Sequence, residues 1–227
     1  MPKSFKKTLL AAGLLAMSTG WTYAAGFTTS TFDTDDEGWR AVGDVTSATP
    51  TWLATGGNPG GTIDVDDLTV GGVWYYEAPA KFLGDRSMAY GQGLRFDLWQ
   101  DGSGPQFNAS DVALIGGGLT LTIDAGDNPL PLRTWVSYEV PLTESAGWVK
   151  VASFTSLSGP AATQDEMLTV LGNLTHLRIR GEFITGSDHG RLDNVSMPIP
   201  EPETALLLLA GLGLVGLATR RHRSGPR

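Results

Sequence analysis

Leu94-Arg95-Phe96-Asp97-Leu98-Trp99 alternates apolar and polar side chains through Leu98, the pattern of a strand with one face in a core and the other toward water. The same two-residue period recurs along the chain. Leu119, Leu121 and Ile123 alternate with Thr120, Thr122 and Asp124, and Gly116-Gly117-Gly118 sets them off from the run Val112 to Ile115, so these two segments read as a hairpin. Val136, Tyr138 and Val140 form a third alternating face, and Leu177, Ile179 and Phe183, with Arg178, Arg180 and Glu182 between them, a fourth. Strands that are apolar on one side must bury those sides against one another, which predicts an all-β sandwich of two packed sheets. One helix interrupts the strands. Thr163 stands three residues before Glu166 as a capping box, Met167, Leu168 and Leu171 share a face, and Gly172 can close it. It is expected to lie across a sheet edge or a sandwich end.

The two ends of the chain have a different composition. Lys3, Lys6 and Lys7 precede the apolar run Leu9 to Met17, and small residues follow at Thr22 and Ala24, so residues 1–24 read as a secretory signal peptide cut after Ala24. At the far end, Pro200-Glu201-Pro202 precedes an apolar stretch from Ala205 to Ala218 and the basic cluster Arg220-Arg221-His222-Arg223. This order resembles the bacterial PEP-CTERM sorting tail. The resemblance implies a single transmembrane sorting helix over 204–219 that inserts transiently and keeps its arginines cytoplasmic. It further implies an exosortase-like membrane enzyme that cuts near the Pro-Glu-Pro motif. A permanent C-terminal anchor is the alternative, but the stretch is shorter than the roughly 20 residues of a comfortable span. Gly211-x-Gly213-x-x-Gly216 matches the dinucleotide-binding pattern by letter, but it lacks the strand and the βαβ unit that the motif requires.

Between these ends lies a body spanning 25–197, long enough to bury one core. The ends take away 7 of the 16 basic residues and 2 of the 24 acidic ones, so the body holds 9 basic against 22 acidic residues, a formal net charge of −13. Nucleic acid is excluded as a partner, because binding it requires clustered Lys and Arg. The absence of cysteine excludes disulfides, thiolate metal sites and thiol catalysis.

A second resemblance covers most of the body. Glu77-Ala-Pro-Ala-Lys-Phe-Leu-Gly-Asp85, Met88-Ala-Tyr-Gly-Gln-Gly-Leu-Arg-Phe-Asp-Leu98 and Asp111-Val-Ala-Leu-Ile-Gly-Gly-Gly-Leu119 look like segments of the laminin B (laminin IV type A) domain. Thr143-Glu144, Gly147-Trp148, Glu166-Met-Leu-Thr-Val-Leu-Gly-Asn-Leu-Thr175 and Leu192-Asp193-Asn194-Val195 follow in the family's order. The resemblance implies a jelly-roll β-sandwich akin to galactose-binding and carbohydrate-binding modules. It brings no catalytic residues with it, and the cysteine-rich repeats that flank the domain in laminins are missing.

Candidate chemistry is sparse. Ser187-Asp188-His189 are chain neighbours and cannot face one another as a catalytic triad, so His189 reads as a solvated loop residue and His176 as an outward strand residue. Asp64, Asp66, Asp67 and Glu77 are the carboxylates to weigh for glycoside hydrolysis, with solvated turns as the plainer reading. Asp33-Thr-Asp35-Asp36-Glu37-Gly38 begins like a calcium loop but has no flanking helices. A structural Ca2+ held between the first and last strands by Asp33 and Asp193 is the alternative to simple turn capping by the same two residues. Aromatic residues are abundant, and consecutive Trp74, Tyr75 and Tyr76 cannot all point inward from a strand. Trp99 occupies the polar parity of its own strand. Trp74, Tyr75, Tyr76 and Trp99 are therefore the expected ligand-binding surface, suited to stacking sugars.

Taken together, these features describe an exported, non-enzymatic adhesion or glycan-binding module. It is expected to pass through an inner-membrane-anchored intermediate and to end at the cell surface or in the extracellular matrix, beside an exopolysaccharide. A purely structural matrix protein and a polysaccharide-modifying enzyme are the alternatives.

Overall fold

Hydrophobic alternation becomes a two-layer structure in the computed structural model, which describes residues 26–69 and 71–199. Ala24, Pro200, Glu201, Pro202, Arg220, Arg221 and Arg223 lie outside the described residues, as does the apolar tail. Among the described residues no helix is long and apolar enough to cross a membrane.

The strands are β1 (Gly26–Ser30), β2 (Arg40–Gly43), β3 (Thr51–Leu53), β4 (Thr62–Asp67), β5 (Trp74–Glu77) and β6 (Gly93–Gly102). After them come β7 (Val112–Gly116), β8 (Leu119–Ile123), β9 (Val136–Pro141), β10 (Val149–Lys150), β11 (Leu174–Arg180) and β12 (Asp188–Ile199), with the single α-helix α1 (Gln164–Gly172) between β10 and β11. One sheet runs β3-β4-β12-β6-β9, with β1 also on β12; the other runs β10-β8-β7-β11-β5-β2. Every strand pairing among the described residues is antiparallel. The sandwich expected from periodicity is the fold.

Local chemistry accounts for the individual elements. The β7–β8 hairpin turns on Gly117 and Gly118, at φ 56° and 79°, the left-handed pair that a two-residue type I′ connection requires. The capping box of α1 forms in full, with Thr163 accepting from the Glu166 N–H and Glu166 accepting from the Thr163 N–H. Met167, Val170 and Leu171 are its buried face, Leu168 being only half-buried, and they close the core beside β7 and β8. Asn173, rather than Gly172, caps the C-terminus. Phe183 is buried as its parity requires, but it lies beyond the end of β11.

Between the sheets sit Trp39, Trp74, Tyr76, Phe82, Phe96 and Trp148 among buried leucines, isoleucines and valines. Each buried Leu, Ile or Phe contributes about 1.5–3 kcal/mol relative to exposure, so a cysteine-free body can be held by packing alone. The acidic segment after β1 is a chain of turns. Asp35 and Asp36 accept from the N–H groups of Glu37 and Gly38, while Glu37 takes the N–H groups of Thr31 and Phe32 and pairs with Lys81.

Candidate functional site

The outer face of the β4, β12 and β6 strands carries the chain's most organised polar surface, and parity dictates its content. Ile63, Val65, Leu98 and Leu192 enter the core, so Asp64, Asp66, Trp99, Asp101, His189 and Arg191 face the other way. Register then aligns them in rows. Trp99 lies opposite Arg191, which lies opposite Asp64; one step along, Asp101 lies opposite His189, which lies opposite Asp66.

Side-chain contacts weld the first row together. The Arg191 guanidinium carbon is 4.5 Å from the Trp99 ring centroid, and its Nε donates to Asp64 Oδ1 at 2.8 Å. His189 Nε2 meets the same oxygen at 2.5 Å and sets its ring edge-on to Trp99, with centroids 5.5 Å apart. Leu98 is the last residue of β6 to pair with β9, opposite Val136. A cavity of about 360 Å³ continues the face at the strand ends, where Asp66, Ser103 and Ser187 join the Arg133–Asp101 ion pair (2.9 Å) and His189.

The charges on this face tune one another. Asp64 bonding raises the His189 pKa above its ordinary value against the opposing effect of burial. Burial pushes Asp64 upward, but its bonds to His189 and Arg191 outweigh this and hold it below the usual carboxylate range. The result is an indole bordered by fixed donors and acceptors. Such a surface can stack the C–H face of a sugar ring and bond its hydroxyl groups.

Of the four aromatic residues expected to form an exposed surface, only Trp99 is on one. Trp74, Tyr75 and Tyr76 are each 0% exposed, which corrects that expectation. Trp74 and Tyr76 point into the core, their rings edge-to-face at 4.9 Å, and Tyr76 Oη donates to the Gly190 carbonyl. Tyr75 points outward as parity requires, but Phe154 lies edge-on to it at 5.3 Å and its hydroxyl bonds Ser110. A loop roofs the sheet there. His189, expected in a solvated loop, is a half-buried strand residue. Its strand position could have been inferred only from the pairing of β12 with β4. His176 is on its strand as expected, beside Glu77.

The carboxylates considered for hydrolysis do not converge. Asp64, Asp66 and Asp67 belong to β4, whereas Glu77 belongs to β5 in the other sheet, where it accepts from Arg178.

Asp33 and Asp193, by contrast, meet at one loop. A Cβ at Gly60 would stand 2.7 Å from Asp33 Oδ1, and one at Gly57 would stand 2.6 Å from Asp193 Oδ2. The Asn58 and Asn194 N–H groups donate to Asp193, and the side chains of both asparagines donate to Asp97. Burial, reinforced by Asp97 and Asp33 against those N–H bonds, pushes Asp193 up to about 6. Asp33, Asp97 and Asp193 therefore border one loop, where the Asn58 carbonyl already accepts from the Asn194 side chain. Among the described residues, however, no three acidic or imidazole side chains close on one point.

Comparison with known proteins follows the same outline. The family model described as Laminin B (Domain IV) matches residues 75–207, and the PEP-CTERM protein-sorting motif matches residues 198–223. Human laminin subunit gamma-1 is 32% identical over 187 residues, covering 79% of this chain and 10% of the laminin subunit. Human laminin subunit gamma-2 is 33% identical over 188 residues, covering 79% and 14%. The chain therefore spans only a small part of the curated relatives it matches. Among solved structures, the L4b domain of human laminin alpha-2 superposes with a TM-score of 0.49 at 19% identity, over 56% of this chain and 70% of that one. A family 11 carbohydrate-binding module of Clostridium thermocellum also gives 0.49, at 14% identity over 77% and 95%.

Proposed function

The chain belongs to the laminin B (Domain IV) family and ends in a PEP-CTERM sorting motif, and from that premise we propose that it is a non-catalytic, glycan-binding adhesion module. The motif marks an exosortase-sorted, exported surface protein. In our reading the body is released beside an exopolysaccharide after transient anchoring by its tail.

The observation that carries the binding role is the Trp99–Arg191–Asp64 row. Three strands each contribute one residue, and Arg191 is held at once by the indole and by the carboxylate, so the surface is ordered before any ligand arrives. Preorganisation of this kind lowers the entropic cost of binding. The Asp66, Arg133 and His189 cavity supplies hydroxyl partners. Retention of the purified protein on an array of bacterial and plant polysaccharides tests the proposal. Selective retention that is lost on Trp99→Ala supports it. A protein that passes every glycan unretarded is instead a structural matrix component, and release of reducing ends would identify an enzyme.

A structural Ca2+ held by Asp33 and Asp193 belongs to the same proposal. Calorimetric unfolding that is the same with calcium as with chelator would remove the ion from the scheme.

A further inference from the structure

Behind the Trp99 face, on the inner side of the same strands, the core ends in acid instead of hydrocarbon. Asp67 closes β4 and Asp188 opens β12; the two are register partners, 0% and 3% exposed. Glu182, also 3% exposed, reaches this layer from the segment between β11 and β12, and its Oε2 accepts from the Trp74 N–H at 3.2 Å. Gln100 of β6 and the indole of Trp74 fill the space around them, the indole lying against Gly181 and Gly190.

The hydrogen bonds of this layer are unevenly shared. Thr69 gives both its N–H and its hydroxyl to Asp67 Oδ1, each at 2.9 Å. Gln100 Nε2 (2.5 Å) and the Phe183 N–H (3.4 Å) both go to Asp188 Oδ2. Asp67 Oδ2 and Asp188 Oδ1 have no partner among the described residues, nor does Trp74 Nε1. The neighbouring cation on β11, Arg180, turns its guanidinium to the carbonyls of Phe107, Ala109 and Glu182 and to Asp111, between the rings of Phe107 and Phe183. On the opposite face of the same strands stand Asp64, Asp66 and His189, with Arg191 and Asp101 beyond them.

Facing residues on adjacent antiparallel strands have Cβ atoms about 4.5–5.5 Å apart. Two carboxylates at that range, buried and without a cation between them, cannot both carry charge: repulsion adds to a desolvation cost of several kcal/mol per ion. A proton on Asp188 removes one of the two charges and turns an acceptor into a donor.

We propose that Asp188 and Glu182 are neutral in the folded protein, buried against Asp67, and that this acid layer is a pH-sensitive latch closing the sandwich beneath the Trp99 face. The acidities agree with the geometry. Burial, with Asp67 adding, pushes Asp188 up to about 6; burial, with Asp188 and Asp67 adding, pushes Glu182 up to about 8. A carboxyl whose folded pKa is raised contributes stability that is complete below its unfolded value and lost as pH rises through the folded one. The latch is therefore tightest below the ordinary carboxyl range and loosens as pH rises, through about 6 for Asp188 and about 8 for Glu182. Asp66 and His189, the chain neighbours of Asp67 and Asp188, line the cavity, so opening the latch disturbs the binding face. That last consequence rests on the glycan reading; the latch itself does not.

Hydrogen exchange of the full chain, corrected for intrinsic rates, tests the latch from pH 5.5 to 8.5. Protection of segments 62–67 and 183–192 is expected to fall at least tenfold relative to the β7–β8 hairpin in the wild type. The double variant Asp188→Asn, Glu182→Gln, in which neither group can ionise, is expected to keep its protection, and each single variant is expected to lose less than the wild type does. A wild-type protection pattern that is flat across this range overturns the latch. Trp99→Ala is expected to lower glycan retention while leaving the pH dependence of the exchange in place, so the two readings fail separately.

Discussion

Arg191 of β12 lies across the ladder from Trp99 of β6, its guanidinium carbon 4.5 Å from the indole centroid, while its Nε bonds Asp64 of β4. One side chain thus couples three strands, and the surface it holds is the one on which the function is proposed.

Replacing Trp99 by Ala is expected to lower glycan affinity at least tenfold while costing about 1–2 kcal/mol of stability, since the half-buried ring gives up its contacts with Arg191 and His189. Arg191→Ala should weaken binding as well, through loss of the roughly 0.5–2 kcal/mol stacking contact that fixes the indole. Affinity electrophoresis alongside thermal unfolding separates the two effects. A Trp99→Ala protein that binds as the wild type does would move the site elsewhere.

The Asp64–His189 pair has a defined pH window. His189, raised by Asp64, contributes stability that is full below the ordinary imidazole value and is lost as pH rises through its higher folded pKa. Asp64, lowered by His189 and Arg191 against burial, contributes stability that is lost as pH falls through its own depressed pKa. The pair is strongest between those limits. In Asp64→Asn the His189 titration, followed by NMR, should shift to lower pH; an unmoved midpoint would show that the bond does not set it.

Gly181 and Gly172 should respond oppositely to alanine. A Cβ at Gly181 would stand 1.9 Å from Trp74 Cζ3, and no flexible tip can yield there. Gly181→Ala is expected to cost about 1–3 kcal/mol or more through overpacking. At Gly172, in the last turn of α1, a Cβ meets nothing within 4 Å, and Gly172→Ala should gain roughly 0.5–1 kcal/mol. Urea titration of both variants measures the contrast.

Arg180 is wholly buried and bonded to three carbonyls and to Asp111. Arg180→Met should cost about 3–5 kcal/mol, because it strands Asp111 in the interior. Burial already pushes Asp111 up to about 6 despite Arg180 and the Ala125 N–H. The double variant Arg180→Met, Asp111→Asn should recover part of the loss, and equal stabilities for the single and double variants would show that the two residues are not coupled.

Strand alternation, the Gly117-Gly118 turn and the Thr163–Glu166 cap were legible in the sequence because each depends on residues within a few positions of one another. The C-terminal sorting motif was legible for a related reason: Pro200-Glu201-Pro202, the apolar run and the arginines follow one another within one short segment. Parity also showed correctly that Trp74, Tyr75 and Tyr76 could not all point inward. It could not show that a distant loop brings Phe154 over Tyr75 and leaves the whole triplet dry. Nor could it show that Asp64, Trp99 and Arg191 share one row, or that Asp67 and Asp188 share another. Those relations are set by register between strands far apart in the chain. Register is fixed only when both sheets bury their apolar faces together, so the sequence determined which residues face outward and only the tertiary structure decided which of them meet.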